Sequence, residues 1–194
     1  MPCYLPQVPD DDPYVPGICE GRDLIADEES GLRFASSCMR AEKAALKLIA
    51  RAEQSSTGLF CKLEKRGHDR ACIQLVLSRL QEIQLIDDRR FTRLWLESRI
   101  ARAAHSPRRL LAGLRSRGID RDHAESGIKA ALTADAELSL LRRYVKKMQK
   151  RKSFTKAITK NNADTGRSLK YYLKGEGFSS QAIELFMEQE QAPT

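Results

Sequence analysis

One pattern, written three times along this chain of 194 residues, limits what it can fold into more than any other feature. The segments KLEKRGHDRACIQLVLSRL (62–80), GLRSRGIDRDHAESGIKAAL (113–132) and YLKGEGFSSQAIELFMEQE (172–190) each place a leucine four residues before a glycine: Leu63 with Gly67, Leu114 with Gly118, Leu173 with Gly177. A second leucine stands eight residues before the same glycine, at Leu59, Leu110 and Leu169. Leucines four apart stack on one stripe of a helix, and glycine takes the left-handed conformation that ends a helix without a Cβ clash. After each glycine a polar link leads to a second helix, whose apolar positions recur as Ile73 and Leu77, Ala124 and Ile128, Ile183 and Met187. The glycines lie 51 and 59 residues apart, room for three ordinary helices per repeat.

The rest of the chain from about residue 41 agrees with this reading. Ile73, Val76, Leu77, Leu80 and Ile83 fall at the three-four spacing of one helical face, and Phe91, Leu94 and Trp95 begin the next. Asp87 or Asp88 is placed to cap that second helix, and Ser106-Pro107 is a helix start, serine as cap and proline at the first position. The first helix of each repeat is expected in roughly 35–54, 88–104 and 136–151. Strand signals are nearly absent. The predicted fold is therefore all-α, an elongated tandem array of three three-helix modules at 35–86, 87–134 and 135–190, the last with an insertion near 152–165. Residues 1–34 read as an acidic, partly disordered leader, with five of the seven prolines in the first sixteen positions.

Charge is distributed as unevenly as proline. The net charge is +8, yet the first forty residues hold three basic and eight acidic side chains, leaving +13 for the remainder. Of this, +10 lies between Glu137 and Gly175. In SLLRRYVKKMQKRK and the residue before it, Leu138, Leu141, Val145 and Met148 share one arc of the helix, while Arg143, Lys146, Lys147 and Lys150 share another. Comparable cations occur at Lys62, Lys65 and Arg66, at Arg108, Arg109, Arg115 and Arg117, and at Arg151, Lys170 and Lys174. Recurring across stacked modules, they suggest a cationic stripe suited to phosphate backbones or acidic protein surfaces. Phe154, Tyr171 and Tyr172 are the few aromatics near them, a weak signal for stacking on single strands.

Other classes lack support. No run approaches the roughly 20 apolar residues of a membrane span, and Asp10, Asp11 and Asp12 stand where a secretory signal needs apolar sequence, so a cytoplasmic location is expected. The five cysteines form no C-x-x-C and read as free thiols, with Cys61 and Cys72 as small core residues. His68, His105 and His123 have no partner at metal-ligand spacing, and no nucleotide loop or hydrolase elbow occurs. No enzyme, metal or cofactor is expected.

The run LIDDRRFTRLWLESRI (85–100), followed by SPRRLLAGLRSRGID (106–120), resembles the signature of the RecX family of regulatory proteins. LIARAEQSSTGLFCKLEKRGHD is similar to that family's opening module and RSLKYYLKGEGFS to its last, so the resemblance covers about residues 40–190. It departs from the family's pattern at Ser106-Pro107, where many members have glycine, and in the insertion of the third module. The resemblance implies a non-catalytic modulator of RecA recombinase that lies in the groove of the RecA filament on single-stranded DNA. It implies suppression of filament growth, strand exchange and linked ATP hydrolysis, as part of DNA repair, recombination and the SOS response. A monomer is expected, with no membrane partner and with room for weak binding to single- or double-stranded DNA. The residues alone leave open a sequence-independent nucleic-acid-binding helical protein that acts without RecA.

Overall fold

The structure is a computed structural model and describes residues 26–150 and 165–191. The expected leader before Ala26, Arg151, Phe154 and the insertion up to Asp164 lie outside the described residues. Nine α-helices occur among the described residues: α1 (Ala26–Ile49), α2 (Ser56–Glu64), α3 (Arg70–Glu82), α4 (Asp88–Arg102), α5 (Pro107–Arg115), α6 (Arg121–Ala131), α7 (Ala134–Gln149), α8 (Thr165–Gly175) and α9 (Ser180–Gln191). No strand is present among them, and no described helix is long and apolar enough to cross a membrane. The chain divides into two compact units at Asp87 and Asp88.

The three repeats share one turn. Gly67, Gly118 and Gly177 have φ of 80°, 76° and 90°, a region that a Cβ makes costly. In each copy the residue after the glycine donates its N–H back to the leucine carbonyl: His68 to Leu63 (3.3 Å), Ile119 to Leu114 (3.2 Å), Phe178 to Leu173 (3.3 Å). The glycine N–H bonds to the next carbonyl, at Glu64, Arg115 and Lys174, which completes a Schellman stop. The leucine four before the glycine is thus the residue this motif turns inward, and Leu63, Leu114 and Leu173 are fully buried. Two residues after each glycine a polar side chain caps the next helix. Asp69 accepts from Ala71 and Cys72, Asp120 from Asp122 and His123, and Ser179 from Ala182.

In the first unit, α1 packs on α3 with α2 against both. Small residues on α1 let the helices approach, and Ala41, Ala45 and Leu48 meet Leu59, Leu63, Ile73, Val76, Leu77 and Leu80, closed off by Ile86. Helix α1 starts at Ala26, inside the stretch expected as leader, and its inward face of Ala35, Cys38, Ala41 and Ala45 begins nine residues later. Ile83 caps α3 and is 57% exposed, so the apolar face ends at Leu80. Cys61 is exposed on α2, against expectation, while Cys72 is buried with Cys38.

The second unit pairs α4 with α6 and α7 with α9, α5 lying on α6 and α8 on α9. One continuous cluster runs from Leu96, Leu110 and Leu114 through Leu140, Leu141 and Tyr144 to Leu173, Ile183 and Phe186. The residues expected as the second and third modules therefore share a core. They are also joined by the backbone: Arg108 donates its N–H to the Glu176 carbonyl (3.0 Å), and a Cβ on Gly177 would lie 3.4 Å from the Arg108 nitrogen. The α4 face is rotated from expectation, with Thr92 and Leu96 buried and Leu94 41% exposed. On α7 the buried face is wider than expected, since Leu140 and Tyr144 join Leu141 and Val145. Tyr144 meets the Phe178 ring at 5.4 Å, its hydroxyl lies 3.3 Å from that of Tyr172, and burial raises its pKa.

Glu137, in the first turn of α7, is buried and accepts two hydrogen bonds from Ser179, one from the backbone N–H and one from the hydroxyl, both 2.7 Å. It ties α7 to the start of α9. Glu137→Ala is expected to lower stability toward the lower end of about 1–3 kcal/mol, because Ser179 is exposed and water replaces the lost acceptor. Glu137→Gln, which keeps an acceptor oxygen, should lose less in a urea titration.

Candidate functional site

The last turn of α4 leaves carbonyl groups without helical partners, and such an end attracts cations. Helix α7 supplies them from two residues one turn apart. Arg143 donates to the Ala101 carbonyl (3.4 Å) and Lys147 to the Ala104 carbonyl (3.3 Å). Both side chains remain exposed, so their charge still reaches solvent. His105 follows Ala104 directly. It is half-buried, and its Nδ1 is sealed from solvent with no hydrogen-bond partner. Burial chiefly, and then the charges of Arg109, Lys147 and Arg99, hold its pKa below the usual 6.5. A neutral imidazole thus sits among cations from α4, α5 and α7. An arriving phosphate or carboxylate would offset their mutual repulsion and ease proton uptake by the ring.

This arrangement has a pH signature. The unfolded chain takes up the His105 proton near 6.5 and the folded chain only at lower pH, so falling pH favours unfolding through that window. Stability is expected to drop between about pH 7 and about pH 5.5, and His105→Gln should reduce that drop. Urea midpoints at the two pH values measure it.

Trp95 anchors the neighbouring surface. Its ring packs onto Gly113, where a Cβ would come within 2.6 Å, and the guanidinium groups of Arg99 and Arg117 lie over it at 5.4 and 5.0 Å. Arg117 also donates to the Gly113 carbonyl at 2.7 Å. A groove of about 930 Å³ runs between α4 and α6, lined by Arg89, Arg93, Ile100, Gly127 and Ala130, with Arg143 among its walls. Gly127 permits the close crossing there, since a Cβ would meet the Thr92 methyl at 2.7 Å. Arg89 donates to His123 Nε2 across the groove at 3.4 Å.

The residues expected to bind a partner separate into groups. Arg109, Arg143 and Lys147 come together around the α4 end. Arg108, Arg115, Lys146, Lys150 and Lys174 are exposed and form no ion pair with another described residue. Arg117 is half-buried on Trp95, and Lys170 pairs with Glu184 at 3.0 Å. In the first unit Lys62, Lys65 and Arg66 are exposed at the end of α2, Lys62 donating to Gln54 Oε1 at 2.5 Å. Arg151 lies outside the described residues. Sequence reasoning missed Arg99 and His105. His105 has no partner at metal-ligand spacing in the sequence, and the one signal available there is its place directly before the Ser106-Pro107 cap. Among the described residues no group of three or more His, Cys, Asp or Glu side chains is placed to hold a metal ion.

Comparison with known proteins agrees with this architecture. Residues 87–128 match the family described as "RecX, second three-helix domain". The regulatory protein RecX of Treponema pallidum (strain Nichols) is 34% identical over 126 residues, spanning 64% of this chain and 77% of that protein. Its counterpart in Mycobacterium avium (strain 104) is 31% identical over 134 residues, spanning 69% and 75%. Among solved structures, a crystal structure of regulatory protein RecX superposes with a TM-score of 0.71 at 18% identity, covering 88% of this chain and 83% of that one. RecX from Lactobacillus salivarius superposes at 0.60 and 16% identity, covering 80% and 97%. The two structures share the all-α fold, the sequence relatives share more than two thirds of their length, and on these grounds the chain belongs to the RecX family, whose members are regulatory proteins and not enzymes.

Proposed function

We propose that this protein is a negative regulator of RecA recombinase. It acts in the cytoplasm as a monomer, binds in the groove of the RecA filament on single-stranded DNA, and restrains filament growth, ATP hydrolysis and strand exchange. The observation that carries this reading is membership of the RecX family. The cations gathered around the end of α4, with Lys146 on the same helix as Arg143 and Lys147, and Lys150 at its C-cap, supply charge for acidic filament surface or nearby phosphates. The remaining contacts are assigned to Arg108, Arg109, Arg115, Arg117, Lys170 and Lys174, and to Lys62, Lys65 and Arg66 in the first unit. Regulation of this kind needs no catalytic group. A protein that binds one filament state or one filament end more tightly than another shifts assembly by that difference in affinity.

The test is DNA-dependent ATP hydrolysis by RecA, measured as this protein is added from substoichiometric to equimolar amounts. The expected result is inhibition with a matching loss of filament growth, and an unchanged rate would refute it. Direct DNA binding without RecA is expected to be weak and to fall steeply with salt, because releasing condensed counterions gains less as the bulk ion concentration rises. Tight binding to DNA alone, without any effect on RecA, would favour an independent nucleic-acid-binding role.

A further inference from the structure

Two cysteines face each other inside the first unit. Cys38 on α1 and Cys72 on α3 are both fully buried, and their sulfurs lie 2.7 Å apart across 34 residues of sequence. Both are free thiols. We propose that they form an oxidation-sensitive pair, converted by hydroperoxides into an intramolecular disulfide that ties α1 to α3. The helix interface already holds the sulfurs together, so bonding them requires a small adjustment and no rearrangement of chain.

Access is uneven. Cys72 is the third residue of α3, and the residues before it, Asp69, Arg70 and Ala71, are exposed. Fraying of that single turn uncovers it, since helix ends open at low cost. Cys38 sits in the middle of α1, away from either helix end, so it does not react first; burial, with Cys72 and Asp69 beside it, pushes its thiol up to about 12. The order of events follows. Cys72 attacks the peroxide O–O bond to give a sulfenic acid and one water. The Cys38 sulfur then attacks the Cys72 sulfur, the S–O bond breaks, and the hydroxyl leaves with the Cys38 proton as a second water. Two thiols and one hydrogen peroxide give one disulfide and two waters, the sulfurs losing two electrons and the peroxide oxygens gaining them. Because the bond closes a loop in the unfolded chain, the oxidised protein is expected to melt at a higher temperature than the reduced one.

The experiment uses the full chain with Cys3→Ser, Cys19→Ser and Cys61→Ser, which removes the competing thiols. After treatment with hydrogen peroxide, remaining thiols are alkylated in denaturant and the non-reduced digest is read by mass spectrometry. A peptide pair joining Cys38 to Cys72, two hydrogens lighter than its reduced components and released by dithiothreitol, supports the proposal. Recovery of both residues as unlinked alkylated thiols, under conditions that oxidise Cys61 of the parent chain, overturns it. So does overoxidation of Cys72 without a link. In a further Cys38→Ser variant, dimedone should trap Cys72 as a sulfenic acid, and peroxide should no longer raise the melting temperature.

Discussion

Replacing Leu114 with alanine is expected to lower stability by about 2–5 kcal/mol, the range for emptying a leucine site that cannot collapse. Leu114 is fully buried in the cluster formed by all six helices of the second unit. It is also the last residue but one of its helix, where its carbonyl receives the Ile119 N–H and its side chain supports the turn at Gly118. The backbone bond survives the substitution, so the loss is mainly one of packing. A urea titration of the full chain should show the second unit unfolding earlier. Gly118→Ala offers a comparison: with φ of 76°, an added Cβ strains the turn by roughly 1–2 kcal/mol without opening a cavity. Should Leu114→Ala cost less than Gly118→Ala, the leucine stripe would not be the main support of this unit.

Reversing Lys146, Lys147 and Lys150 to glutamate is expected to weaken partner binding by roughly tenfold or more, about 1.4 kcal/mol. All three positions are exposed, and Lys146 and Lys150 face away from Leu140, Leu141, Tyr144 and Val145, so helical content should persist. Lys147 also donates to the Ala104 carbonyl, and its reversal sets a carboxylate beside the negative end of α4. Reversing Lys146 and Lys150 alone avoids that cost and separates binding from folding. Binding is read as the concentration that half-inhibits RecA ATP hydrolysis, with circular dichroism as the control for fold. A triple variant that inhibits like the parent would remove α7 from the contact surface.

Much of the architecture was legible in the residues because it depends on local rules. Leucine at four and eight before a glycine is a statement about one helix and its stop, and the three Schellman turns appear where that spacing puts them. The Ser106-Pro107 start is equally local, with the serine oxygen accepting from the Arg109 N–H. The cationic arc of α7 also follows from helical geometry alone. The candidate site was less legible. Arg99, His105, Arg109 and Lys147 are contributed by separate segments, and nothing in their spacing announces that they share one environment.

By itself, then, the sequence determined the helical class, the three glycine stops and the charged arc of α7, since all three depend on side chains within a few residues of one another. Tertiary packing decided the rest. It merged the last two repeats into one core, sent Glu137 to Ser179, set Cys38 against Cys72, and surrounded His105 with cations. Each of these brings together residues from different helices, and such contacts exist only once the helices have chosen their neighbours.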